Sequence, residues 1–122
     1  MNAFWPGPLT IVFEASGKVS PLLTAGTGKI GLRVPGHPGA REIAHMLGKP
    51  ITATSANLSH APECVSTAEV AEHLGDKIDA IIDLGNSYGT VGSTIIDATC
   101  TPPKILRDGM IAKEAIAKYV NI

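Results

Sequence analysis

The sequence predicts a layered α/β or α+β fold, with helices packed against a twisted sheet. Two observations carry that expectation. Short apolar runs of strand length alternate with segments of helical spacing. Glycine and proline punctuate the boundaries, at Pro6-Gly7-Pro8, Pro35-Gly36, Gly48 and Gly75. At 122 residues the chain has room for a single domain, 1–122, with one modest core. With 44% hydrophobic but only 4% aromatic residues, that core must be built from Ile, Leu, Val and Ala.

The elements follow in order. Leu9 to Ala15 reads as a strand entered through Pro6-Gly7-Pro8, which blocks a helix there. Ser16 to Gly28 reads as a polar, irregular loop, and Ile30 to Val34 as a second strand stopped by Pro35-Gly36. Pro38 suits the first turn of a helix, and Ile43, Ala44 and Leu47 give Ala40–Leu47 helical spacing before Gly48 ends it. Ile51 to Ala53 reads as a third strand. Ser66 lies three residues before Glu69, the capping-box spacing, so a helix is expected from there to about Leu74. Ala80 to Leu84 reads as a short apolar strand and Ser87 to Gly92 as a loop. Thr94–Asp97 and Lys104–Leu106 read as two more strands. A closing helix is expected over Lys113–Val120, with Ile116 and Val120 four apart.

Charge and composition narrow the function. A formal net charge of −1 provides no broad basic field for nucleic acid, and so few aromatics argue against a stacking platform for single strands. No stretch is long enough to span a membrane, and no leader pattern opens the chain. Cys64 and Cys100 form no Cys-x-x-Cys pair and have no metal-site spacing with His37, His45, His60 or His73. They read as thiols of a cytoplasmic protein.

The segment Pro50-Ile-Thr-Ala-Thr-Ser-Ala-Asn-Leu-Ser59 is the most specific feature. An apolar stretch runs into small hydroxyl and amide side chains, as at a strand end that opens on a polar pocket. Ser55 and Asn57 face the same way in extended chain and together donate and accept hydrogen bonds. Such a pair grips a phosphate, a ribose or a carboxylate. In isolation it is more often a turn that ends a strand.

Its neighbours change that balance. Phe4-Trp5-Pro6-Gly7-Pro8-Leu9-Thr10, Gly31-Leu32-Arg33-Val34-Pro35 and His37-Pro38 precede it. Gly92-Ser93-Thr94-Ile95-Ile96-Asp97 and Ile105-Leu106-Arg107-Asp108-Gly109 follow. In this order the segments resemble the YrdC-like domain of the threonylcarbamoyl-AMP synthases from Phe4 to about Ile111. The resemblance implies an open mixed sheet with a central cavity. It also implies use of ATP, L-threonine and bicarbonate to make threonylcarbamoyl-adenylate, whose activated group goes to a tRNA adenosine. The family's Lys-x-Arg signature has no match here; Lys29 and Arg33 have the wrong spacing. The chain therefore resembles the second half of the domain, and as an isolated chain is expected to be poorly active or inactive.

By the same resemblance, Ser55, Asn57, Glu63 and Arg107 hold the nucleotide. Arg33, Ala53 and Ser93 hold threonine. No residue is assigned as nucleophile or base, since neither Ser55 nor Ser93 sits in a Gly-x-Ser-x-Gly elbow. The metal is unassigned; Asp79, Asp83 and Asp97 are the carboxylates in reach of a magnesium ion carried with ATP. Two other readings share the fold. One is a non-catalytic module binding a nucleotide or double-stranded RNA or tRNA. The other is a carbamoyl-transfer domain of the hydrogenase-maturation type. Apolar strands with little charge on their edges, Leu9–Phe13 and Ile30–Val34, predict a homo-oligomer joined at a sheet edge or the face near Phe4 and Trp5.

Overall fold

The computed structural model describes residues 2–85 and 91–122. The loop expected over 87–92 falls largely on 86–90, outside the described residues. The chain divides into two compact units, Met1–Arg41 with Val91–Ile122, and Glu42–Thr90.

The first unit is built on a four-stranded sheet. Its strands are β1 (Leu9–Glu14), β2 (Lys29–Leu32), β3 (Thr94–Asp97) and β4 (Lys104–Arg107), in the order β2-β1-β3-β4. β1 runs antiparallel to β2 and parallel to β3, while β3 and β4 are antiparallel. A mixed, open sheet with helices is therefore present, as the family resemblance implies. β1 alternates cleanly. Leu9 and Ile11 are buried on one face with Ile96 of β3 and Ile116, and Phe13, Ile105, Trp5 and Val120 pack around them. The opposite face carries Thr10 and Val12, whose methyl carbons flank Gly31 of β2.

That second face also carries the ion pair Lys29–Asp97, Nζ to Oδ2 2.9 Å, which joins β2 to β3 across β1. The other oxygen of Asp97 accepts from the backbone N–H and hydroxyl of Thr99 at 2.8 and 2.6 Å. The Thr99 hydroxyl, then Lys29, hold the Asp97 carboxyl down at about 2, against an ordinary 3.8. A carboxylate with a lowered folded pKa stabilises the fold fully above its unfolded value and loses that contribution as pH falls toward the folded one. Acid titration of Asp97→Asn should therefore lose the part of the stability change that the parent shows between about pH 4 and pH 2. Parallel acid curves for the two proteins would refute the assignment.

Local chemistry explains the helices. α1 (Pro21–Thr24) lies within the segment expected as loop, with Ser20 as its cap and Pro21 in its first turn. α2 (Pro38–Leu47) starts where His37 Nδ1 accepts from the Gly39 N–H at 3.1 Å and ends at Gly48, whose φ of +64° suits glycine. In the second unit α3 (Thr67–Leu74) starts on Ser66, whose hydroxyl accepts from the Glu69 N–H at 3.3 Å. The Glu69 carboxylate returns to the Val65 N–H at 2.9 Å, one residue earlier than the usual box. A 3-10 turn, Gly75–Lys77, follows. α4 (Lys113–Ala117) is shorter than expected; its last turn continues as the bonds of Tyr119 and Val120 to Ile116 O.

Two expected strands are corrected. Ile51–Ala53 and Ala80–Leu84 are irregular, not strands. A strand is defined by its neighbour, and neither segment has a pairing partner among the described residues. Their side chains are exposed as well, Ile82 at 61%.

Candidate functional site

Strand polarity brings the motif residues of the first unit to one end of the sheet. β1 and β3 begin there, and β2 and β4 end there, because Leu9 pairs with Thr94, Ile11 with Leu32, and Ile95 with Arg107. Arg33 follows the last residue of β2, Ser93 precedes the first of β3, Arg107 closes β4 and Thr10 stands near the start of β1.

Ser93 is the centre of this group. It is 7% exposed. Arg107 lays its fork on it: Nε and Nη2 donate to the Ser93 carbonyl at 3.1 and 2.7 Å, and Nη2 also to Oγ at 3.1 Å. The Ser93 hydroxyl lies 2.8 Å from that of Thr10. Small residues make this approach feasible. A Cβ on Gly92 would stand 3.0 Å from Arg107 Nη2. A Cβ on Gly109 would collide with the backbone of Ser93 and Thr94. The strand ends are then sewn together by the Met110 N–H to Gly92 O, 3.0 Å, and by Thr94. The Thr94 hydroxyl donates to Ile111 O at 2.7 Å and accepts from the Ile111 N–H at 3.0 Å. The sequence expected Gly92-Ser93-Thr94 to admit a ligand closely; part of that closeness serves Arg107 and Gly109.

Arg33 joins the same end through the segment 7–10. Its Nε donates to Gly7 O at 3.1 Å, and the Gly7 N–H returns to Val34 O at 2.8 Å. The next carbonyl, Pro8 O, accepts from the Thr94 N–H at 3.0 Å. Gly7–Thr10 is thus the strip on which Arg33 and Ser93 are both mounted. Arg33 and Arg107 remain exposed. The result is a buried serine hydroxyl paired with a half-buried threonine hydroxyl and flanked by two guanidinium-bearing strand ends, a setting for carboxylate or phosphate oxygens. Thr10 was read only as part of a motif. Its alternation, opposite to Leu9 and Ile11, was the signal that sets it on the polar face.

The remaining expected residues lie in the second unit. Asn57 closes its own loop, with Nδ2 donating to Leu58 O and Ala61 O, each at 2.9 Å. Those two carbonyls fix the amide orientation. They leave Oδ1 as a buried side-chain acceptor with no partner among the described residues. Ala53, Ser55 and Glu63 are exposed, and no side-chain hydrogen bond of Ser55 or Glu63 occurs among the described residues.

Other chemistry is weaker. Cys64 Sγ lies 3.4 Å from His73 Nδ1. Desolvation, with the charges of Glu69 and Glu72, pushes this thiol up, away from the thiolate a nucleophile needs. Asp97 is committed to Lys29 and Thr99, and Asp83 accepts from the Gly85 N–H and from Thr67. Among the described residues no three His, Cys, Asp or Glu are grouped to hold a metal. No helix among the described residues is long and apolar enough to cross a membrane.

Known proteins are similar to this chain in sequence and fold. The chain is 41% identical over 118 residues to the threonylcarbamoyl-AMP synthase of Pyrococcus abyssi, covering 97% of this chain and 35% of that protein. It is 42% identical over 109 residues to the enzyme of that name from Vibrio parahaemolyticus, covering 89% and 58%. The chain thus spans between about a third and three fifths of these curated relatives. Among solved structures, P. abyssi Sua5 complexed with L-threonine superposes with a TM-score of 0.91 at 41% identity, over 96% of this chain and 34% of that one. E. coli YciO superposes with a TM-score of 0.73 at 28% identity, over 88% and 52%. The Sua5/YciO/YrdC family model, described as "Telomere recombination", matches residues 1–109, so the chain belongs to that family.

Proposed function

We propose that the chain carries the threonine-facing part of a threonylcarbamoyl-AMP synthase, in which residues 1–122 serve as one domain. The observation that carries this reading is the buried Ser93 hydroxyl held between Arg107 and Thr10 where the four strand ends converge. The L-threonine complex of the P. abyssi relative supports it. The reaction consumes ATP, L-threonine and bicarbonate. It yields threonylcarbamoyl-AMP, pyrophosphate and water, and the threonylcarbamoyl group then passes to a tRNA adenosine in the cytoplasm.

In this reading Ser93 and Arg33 hold the threonine carboxylate. Arg107 neutralises phosphate charge with the face of its fork not spent on Ser93. Ser55, Asn57 and Glu63 hold the nucleoside, and the unpartnered Asn57 Oδ1 accepts from a ribose hydroxyl or the adenine amine. Catalysis rests on positioning and charge neutralisation rather than a covalent intermediate. The names of the relatives favour this reading over a carbamoyl-transfer domain of the hydrogenase-maturation type. A non-catalytic RNA-binding role finds no support in the net charge of −1. The outer edges of β2 and β4, unpaired among the described residues, and Leu22 at 91% exposure support a homo-oligomer.

Calorimetry on the purified chain tests the proposal. L-Threonine and ATP should each give saturable heat, and Ser93→Ala should weaken L-threonine while leaving ATP nearly unchanged. Threonine-dependent pyrophosphate release should stay low, because residues 1–122 hold no Lys-x-Arg pair to neutralise the phosphates in the transition state. No threonine heat, or equal heats for wild type and Ser93→Ala, would refute it.

A further inference from the structure

We propose that Thr10 pairs with Ser93 so that the two hydroxyls together turn one O–H toward an anionic oxygen of the ligand. The inference rests on the reading of Ser93 as a threonine contact and adds a residue to which that reading gives no role. A serine hydroxyl has one proton and two acceptor lone pairs. Arg107 Nη2 donates into one lone pair of Ser93 Oγ at 3.1 Å. Thr10 Oγ1, at 2.8 Å, has no other hydrogen-bond partner among the described residues. When Thr10 donates into the second lone pair, Ser93 has only its proton left, and that proton must go outward. When Ser93 donates to Thr10 instead, the outward proton is that of Thr10. Either way the pair offers one O–H to a ligand. A guanidinium bonded at its base strengthens that donor. Such a group suits a carboxylate oxygen and disfavours an ammonium.

The choice of threonine rather than serine at position 10 has a visible cause. The Thr10 methyl lies under Gly31, where a Cβ would come within 3.2 Å of it. A β-branched side chain has few χ1 states, and seating the methyl against β2 leaves the hydroxyl aimed at β3. Gly31 thus gives the Thr10 methyl its seat.

Two variants separate shape from hydroxyl. Thr10→Val keeps the shape and loses the donor; Thr10→Ser keeps the donor and loses the methyl. L-Threonine affinity by calorimetry should fall about 3–10-fold in Thr10→Val, the effect of one lost hydrogen bond. It should stay within about 3-fold of wild type in Thr10→Ser. In the ligand-free chain, Hα–Hβ couplings should report one Ser93 rotamer in wild type and Thr10→Ser, and an averaged one in Thr10→Val. A Thr10→Val protein with unchanged affinity and unchanged Ser93 couplings would overturn the proposal, as would a Thr10→Ser protein as weak as Thr10→Val. Ser93→Ala weakened with Thr10→Val unchanged would overturn the Thr10 role alone. Ser93→Ala with wild-type affinity would overturn the reading beneath it, and the ligand role of Thr10 with it.

Discussion

Arg107→Ala is expected to weaken ATP about 10–100-fold, the equivalent of roughly 1.5–3 kcal/mol for a lost charge-assisted hydrogen bond. It should also weaken L-threonine, because the guanidinium makes three contacts to Ser93. Without it a buried carbonyl loses its charged partner and the Ser93 hydroxyl loses one of its two restraints. Arg107→Lys should recover only part of the ATP affinity and little of the threonine affinity. A lysine keeps the charge but cannot place two parallel donors on one carbonyl. Calorimetry with ATP, AMP and L-threonine on the three proteins measures this. Equal heats for wild type and Arg107→Ala would remove Arg107 from both roles.

Gly109→Ala is expected to lower the stability of the chain by about 1–3 kcal/mol, the usual cost of overpacking. The atoms that a Cβ would strike are the Ser93 carbonyl carbon, the Thr94 nitrogen and the Gly92 oxygen, all main chain. None can swing aside as a side-chain tip could. Relief requires moving Arg107–Ile111 off β3, which breaks the Met110 bond to Gly92 and the two-way bond between Thr94 and Ile111. Thr94 is fully buried, so its hydroxyl would lose its partner out of reach of water. Gly17→Ala is the control, since a Cβ there meets nothing within 4 Å, and it should change stability by less than about 0.5 kcal/mol. Urea midpoints for the two variants compare them; a Gly109→Ala midpoint equal to that of wild type would show that the turn has room to spare.

Features decided locally were legible in the sequence. β3 is observed at the residues the pattern indicated, Thr94–Asp97, and β1 ends one residue early. The Ser66 cap and the Gly48 stop depend on neighbours within a few residues, so spacing alone exposes them. Ile51–Ala53 and Ala80–Leu84 were not legible, because an apolar run has strand composition whether or not another strand lies beside it. α1 was missed although Ser20-Pro21 is a cap followed by a first-turn proline; the glycines around it masked the signal. The candidate site divides in the same way. Arg33, Ser93 and Arg107 were found as motif residues, but which atoms they touch depends on sequence-distant pairing. Arg107 reaches Ser93 across 14 positions and Thr10 reaches it across 83. For Asn57 the turn reading describes what is seen: its amide closes a turn, and its Oδ1 has no partner among the described residues.

The central claim is that converging strand ends build a carboxylate-binding site around Ser93. Backbone amide NMR of the chain titrated with L-threonine tests it most directly. The largest shifts should fall on Thr10, Arg33, Ser93, Thr94 and Arg107, and should be lost in Ser93→Ala. Shifts confined elsewhere, for instance to the open hollow of about 370 Å³ lined by Asn2, Ala3, Phe4 and Tyr119, would contradict it. So would a spectrum that L-threonine leaves unchanged.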